Sequence, residues 1–326
     1  MLAELKAYFR APFDRLDESV SLAGKFQGVL RILALDLGFA LLAGLLIGMV
    51  NELDLVDLDN HAVATALQQF TLWQLLLIAI LGTPLVEELV FRLPLRFASN
   101  PVVGLARIFT PKTDPDTDAQ LAAGRRAWWD RNYRYVFYGL ALAFALMHLT
   151  NYPEITPGLL LLSPLLVAPQ FVMGILAGFL RVRYGFGWAF LLHALHNLIL
   201  VGLAILGTGN TEIISVDNEA YRLVVEEVSP MERAVDFTYS FGEDTIGYHN
   251  TELKVVVRTL ITDAETAVVV LPKSLPNPRI NVAFKNHTDP RLAKVILLDT
   301  LQAHYELTMN EELKGDTIFL DRNKRN

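Results

Sequence analysis

Apolar residues run in long blocks as far as about residue 208 and then give way to alternation. Phe26–Val50 is nearly uninterrupted and exceeds the roughly 20 residues that cross a bilayer as a helix. Phe70–Phe97 is a second such block. A break is expected in it at Gly82-Thr83-Pro84, because proline lacks an N–H and crowds the preceding turn. Tyr135–Thr150 is a third, shorter block, Gly158–Val182 a fourth with kinks expected at Pro164 and Pro169, and Gly187–Leu206 a fifth. Ahead of them Leu2, Leu5, Tyr8, Phe9, Phe13 and Leu16 recur at helical spacing between charges, which predicts an amphipathic segment over residues 1–25 lying at the membrane surface. After residue 210 the period shortens to that of strands: Glu212–Val216, Tyr221–Val228, Val235–Phe241, Leu253–Ile261, Ala267–Leu271, Ile280–Lys285 and a closing Thr317–Leu320, with turns at Gly247–Asn250 and Pro272–Pro278 and a helix over Pro290–Tyr305. The pattern predicts a membrane α-helical bundle of about five or more transmembrane helices over 26–208, followed by a small α+β soluble domain over 209–326.

Composition sharpens this division. The 326 residues are 52% hydrophobic and only 19% charged, too apolar for one soluble domain yet unevenly distributed. The chain has no cysteine, which removes disulfides, thiolate catalysis and Cys-based zinc sites. A net charge of −7 argues against nucleic acid as a partner. The first 25 residues lack the basic start, short apolar core and small-residue cleavage site of a signal peptide, so the first span is expected to serve as its own uncleaved signal. The loop 98–134 is basic, with Arg107, Lys112, Arg125, Arg126, Arg131 and Arg134; Arg181 and Arg183 mark another basic end; 51–69, 151–157 and 208–221 contain no Lys or Arg. By the positive-inside rule the N-terminus is cytoplasmic and the C-terminal domain extracytoplasmic, unless a further crossing lies in 98–110. The chain reads as a bacterial plasma-membrane protein. Its C-terminal end resembles the small strand-helix-strand modules of bacterial envelope proteins. His249, His287 and His304 lie there without ligand spacing, in solvated or packing positions rather than a metal site.

Charges inside the apolar blocks carry the chemistry, because a charge at the bilayer centre costs ~2.5–3.5 kcal/mol on insertion scales. Asp36 must face protein or water. In Val86-Glu-Glu-Leu-Val-Phe-Arg92, Glu88 and Arg92 stand four apart, acid first, the favoured order for a helical ion pair. Glu87 lies about 100° round the helix and has no partner in its own segment. Phe144-Ala-Leu-Met-His148 closes the third block, and His193-Ala-Leu-His-Asn197 lies in the fifth with His193 and Asn197 on one face. At about 1.5 Å per residue from the basic helix ends, Glu87 and Asn197 lie ~15 Å deep, His193 ~9 Å and His148 ~21 Å, so side chains from three helices can converge. A carboxylate and an imidazole can hold and deprotonate water, and a His–Asn pair can donate to the oxyanion that forms when water attacks an amide.

In this order, on successive apolar segments, Glu87-Glu88-x-x-x-Arg92, Phe144-x-x-x-His148 and His193-x-x-x-Asn197 resemble the three motifs of the CAAX protease and bacteriocin-processing family of intramembrane glutamic endopeptidases. Thr83-Pro84 and Gln170-Phe-Val-Met-Gly174 extend the likeness, which covers about residues 70–206. Leu93-Pro94 departs from it, standing where the family usually has Gly after the Arg, and five spans are fewer than many relatives have. The resemblance implies that Glu87 and His148 activate water, that His193 and Asn197 form the oxyanion site, and that Glu88 and Arg92 orient the acid, with Phe144 in support. It implies a membrane-associated protein or peptide as substrate and no bound cofactor. Three alternatives stand beside it: a zinc protease with Glu87, His148 and His193 as ligands, a non-catalytic scaffold or bacteriocin-immunity-type protein, and a proton-coupled carrier using the same buried acid.

Overall fold

The computed structural model describes the chain except residues 1, 52–69, 110–113, 153, 235, 263–266, 273–274, 276, 288–291, 310–316 and 323–326. The acidic connection with Glu52, Asp54, Asp57 and Asp59, Lys112 of the basic loop, and parts of the 272–278 turn therefore lie outside the described residues. The chain divides into two compact units, one of residues 1–64 and 76–202, the other of 65–75 and 203–326.

Ahead of the sheets, α1 (Leu2–Arg10) and α2 (Leu22–Asn51) are followed by α3 (Leu72–Leu76), all but its last residue in the second unit, then a π-helical stretch (Leu77–Gly82), α4 (Thr83–Phe91), two short 3-10 turns (Leu93–Leu95 and Phe97–Ser99) and α5 (Pro101–Phe109). Then come α6 (Pro115–Met147), a 3-10 turn (His148–Asn151), α7 (Pro157–Leu166), α8 (Ala168–Arg183) and α9 (Phe186–Gly207). Among the described residues four helical runs are long and apolar enough to cross a membrane: 22–50, 72–95, 157–183 and 186–207. The expected fifth, Tyr135–Thr150, is the apolar C-terminal part of α6 and the 3-10 turn after it; the first twenty residues of α6 carry seven charges. Its apolar stretch is too short to meet that measure alone. The kinks expected at Pro164 and Pro169 become one break at Val167, where α7 ends and α8 begins with Pro169 in its first turn.

Lipid-facing and core-facing residues separate by helical period. On α2 the buried positions are Val29, Ile32, Leu33, Asp36, Ala40 and Ala43, while Leu41, Leu42 and Leu45 are exposed. On α8 Gly174, Ala177 and Gly178 form a narrow face against α6: a Cβ on Gly178 would stand 2.9 Å from the Phe137 ring, and one on Gly174 would stand 3.4 Å from Ala141. Small residues thus draw α6 and α8 together. In the N-terminal segment α1 turns Leu5 and Tyr8 inward, with Tyr8 edge-on to Phe137 (5.5 Å) and Phe179 (5.1 Å), while Leu2 and Phe13 stay exposed.

The second unit holds a five-stranded antiparallel sheet in the order β1 (Thr211–Asp217), β2 (Tyr221–Glu227), β6 (Arg279–Asn286), β4 (Thr245–Glu252), β3 (Thr238–Phe241). A three-stranded sheet places β5 (Val268–Val270) parallel to β8 (Thr317–Arg322) and β7 (Leu307–Met309) antiparallel to β8. Helices α10 (Leu253–Ile261) and α11 (Ala293–His304) close its core with Val256, Val257, Leu297 and Leu301. Two expectations are corrected. Leu253–Ile261 is a helix rather than a strand, since Leu253, Val256, Val257 and Leu260 are the buried positions, a helical spacing masked by β-branched composition. The expected turn at Gly247–Asn250 lies inside β4, where the register with β6 shifts between Tyr248 and Thr251 and Asn250 has a φ of 49°.

Candidate active site

The acidic pair sits on α4, and the two acids have different surroundings. Glu88 is wholly buried and faces Arg92, itself 1% exposed, with Nε 3.3 Å from Oε1. Among the described residues neither Arg92 Nε nor Nη1 has a hydrogen-bond partner, but the guanidinium lies 3.8 Å above the centre of the Phe144 ring and Nη2 points at Met173 Sδ, 3.7 Å away. An aromatic face and a polarizable sulfur replace part of the lost hydration. Glu87, one residue earlier, keeps 12% side-chain exposure.

His193 of α9 joins the two acids. Its Nδ1 is 3.0 Å from Glu88 Oε1 and its Nε2 is 3.4 Å from Glu87 Oε2. With Glu88 charge-paired to Arg92, it is the acceptor for an Nδ1–H, and this fixes the ring so that Nε2 addresses Glu87. Phe144 holds the assembly by its edges, with ring contacts to Phe91 (5.5 Å), His193 (5.8 Å) and His148 (4.7 Å). His148 begins the 3-10 turn after α6, and its Nδ1 is 2.8 Å from the Phe144 carbonyl. Thus α6 contributes Phe144 and His148 on one side, and α4 and α9 contribute the acids and His193.

Asn197, one turn beyond His193, is placed by the break that Pro84 causes. The helix before α4 widens to a π register in which the Thr83 N–H reaches Ile78 O. The next pair in that register is Pro84 with Ala79 O, and Pro84 has no N–H. Asn197 Nδ2 donates to Ala79 O instead, at 2.7 Å. One amide hydrogen is used there, which fixes the amide plane and leaves the second hydrogen for another acceptor.

Two arrangements around the site escape motif reading. Asp36, 1% exposed on α2, pairs with His196 Nδ1 on α9, so the buried acid's partner is the histidine next to Asn197. The second is a set of caps on the carbonyls that follow α4. Arg92 O accepts from Arg181 Nε (3.0 Å), Leu93 O from Ser99 Oγ (2.7 Å), Pro94 O from Asn100 Nδ2 (2.8 Å) and Leu95 O from the Tyr133 hydroxyl (3.0 Å). Four consecutive carbonyls at the end of the acid-bearing helix are thus capped by side chains. The only sequence signals were Arg181 in an apolar block and the unusual Leu93-Pro94. In the second unit His249 pairs with Glu232 (3.4 Å) and His304 packs edge-on to Tyr305 (4.9 Å). Among the described residues no three His, Asp or Glu side chains are grouped as metal ligands.

These features define a helical membrane protein with an acid–histidine centre between its helices. Residues 69–199 match the family model described as Type II CAAX prenyl endopeptidase Rce1-like. The matched segment takes in all three motifs and bears out the resemblance drawn from them. Comparison with curated proteins and with solved structures gave no match.

Proposed function

We propose that the chain is an intramembrane endopeptidase that hydrolyses a peptide bond of a membrane-associated protein or peptide with a water activated by Glu87. The observation that carries this reading is the position of His193 between two acids, with Nε2 on Glu87 and Asn197 one turn away. In the proposed step Glu87, assisted by His148, takes a proton from water as its oxygen bonds to the scissile carbonyl carbon. The resulting oxyanion accepts from His193 Nε2–H and from the Asn197 hydrogen not used by Ala79. Collapse breaks the C–N bond, and the proton held by Glu87 passes to the leaving nitrogen. Glu88 and Arg92 hold the His193 ring and do not exchange protons with substrate.

The basic segments at Arg107 to Arg134 and at Arg181 and Arg183 support a cytoplasmic N-terminus, with the C-terminal domain extracytoplasmic when the apolar half of α6 is counted as a crossing. Proteomes of cells making wild type or Glu87→Ala at equal membrane levels test the reading. A membrane-associated protein or peptide should accumulate uncut in the variant. Identical proteomes, together with a phenotype that survives the substitution, would favour a scaffold. Cleavage by purified protein should persist in chelator; stoichiometric zinc with chelator-sensitive cleavage would instead assign Glu87, His148 and His193 to a metal.

A further inference from the structure

The first unit carries a second concave feature, away from the acids. Helices α5 and α6 diverge to leave a groove of about 460 Å³ lined by Phe97, Val102, Ala106, Leu121, Gly124 and Trp128, with half-buried Arg125 along it. Its walls are apolar although this part of α6 is otherwise charged. The exposed side chains of α5 continue the apolar surface: Val102, Leu105, Ile108 and Phe109 are 52–80% exposed. A cluster of this kind facing water is costly, at ~25 cal/mol per Å² of apolar area.

Three observations say what covers it. Phe97 lies two residues beyond the apolar run 72–95, so the groove opens where that run ends, at the level of lipid headgroups. Trp128, 56% exposed on α6, lines the groove itself, and amphipathic aromatics favour the membrane interface. The rim is cationic: Arg107 and Arg126 both lie over the Phe97 ring, at 5.3 and 5.4 Å. Arg126 is neutralised by Asp130 (2.8 Å) and Asp14 (3.6 Å), whereas Arg107 makes no ion pair among the described residues. An apolar slot at headgroup level with an uncompensated guanidinium matches one molecule type, a lipid with an acyl chain and a negative headgroup.

We propose that the α5–α6 groove holds an acyl chain of an anionic phospholipid of the surrounding leaflet, with its phosphate at Arg107. The lipid anchors α5 to the membrane and stands apart from the peptidase reading. Gly124 supplies a clean probe, since a Cβ there meets no atom within 4 Å and a larger side chain fills the groove without displacing its walls. Gly139, further along α6 and equally open, is the matched control.

The test is native mass spectrometry of the full chain from nanodiscs of equimolar phosphatidylglycerol and phosphatidylcholine. Wild type and Gly139→Leu should retain one phosphatidylglycerol, Gly124→Leu none. Arg107→Gln should lower the preference for phosphatidylglycerol about fivefold, with Arg107→Lys restoring it. Equal retention by Gly124→Leu and wild type overturns the proposal, as does equal retention of the two lipids. Displacement of the bound lipid by a lipidated peptide, in wild type but not in Gly124→Leu, would assign the groove to a substrate chain instead.

Discussion

The two adjacent glutamates of α4 differ in what surrounds them, and their substitutions are expected to fail in different ways. Glu88 is sealed against Arg92, the Phe144 ring and His193, so Glu88→Gln or Arg92→Ala strands the other charge in the interior. A loss of about 3–5 kcal/mol is expected, visible as a lower unfolding temperature in detergent. Phe144→Ala should cost a similar ~3–5 kcal/mol, because one ring packs against Phe91, Arg92, His148 and His193 together. Glu87 keeps partial exposure, and Glu87→Gln should leave the unfolding temperature near that of wild type. Much at this scale was legible in the chain. The i,i+4 spacing of Glu88 and Arg92 gave the ion pair, and the cost of a buried acid predicted a partner for Asp36. That partner could not be read: His196 and the pairing of Asn197 with Ala79 depend on how α9 is rotated against α2 and the π turn, which no local spacing encodes.

The carbonyl caps after α4 put the position of the acids under the control of residues far away in sequence. Tyr133→Phe removes the cap on Leu95 O and Arg181→Met that on Arg92 O. Tyr133→Phe should destabilise the protein by ~1–3 kcal/mol, since Leu95 O loses its side-chain donor, and Arg181→Met by less, since Arg92 O keeps the Leu95 N–H at 3.1 Å. Both should lower kcat more than they raise KM, because α4 bears Glu87, the proposed base. Arg181→Lys is expected to recover only part of the loss, as an ammonium cannot reproduce the reach of the guanidinium to Ser99 Oγ (2.9 Å) as well as Arg92 O. Element types followed the hydrophobic period where blocks were long, as for α2 and α9. They failed where period and propensity disagreed: the valines of α10 suggested a strand, while the spacing of its buried residues was helical all along.

Each unit has its own core, with Phe137, Phe144, Phe179 and Leu192 in one and Val225, Val257, Phe284 and Leu297 in the other. Leu297→Asp should therefore unfold the C-terminal unit, seen as rapid proteolysis after Gly207, while the membrane unit stays inserted and intact. The change from apolar blocks to alternation near residue 208 announced this division from the chain alone. The number of crossings was less legible, because the apolar half of α6 is short and its helix runs on into charged residues. Glu87, not Glu88, is the proposed base. The most direct test is cleavage of the accumulated substrate by purified wild type, Glu87→Gln and Glu88→Gln in the same bilayer, normalised to folded protein. Glu87→Gln should lose about 10²–10⁴-fold in kcat with its fold intact, and folded Glu88→Gln should keep measurable turnover. A Glu87→Gln protein that cuts at the wild-type rate, or a folded Glu88→Gln that is the more inactive of the two, would contradict the account.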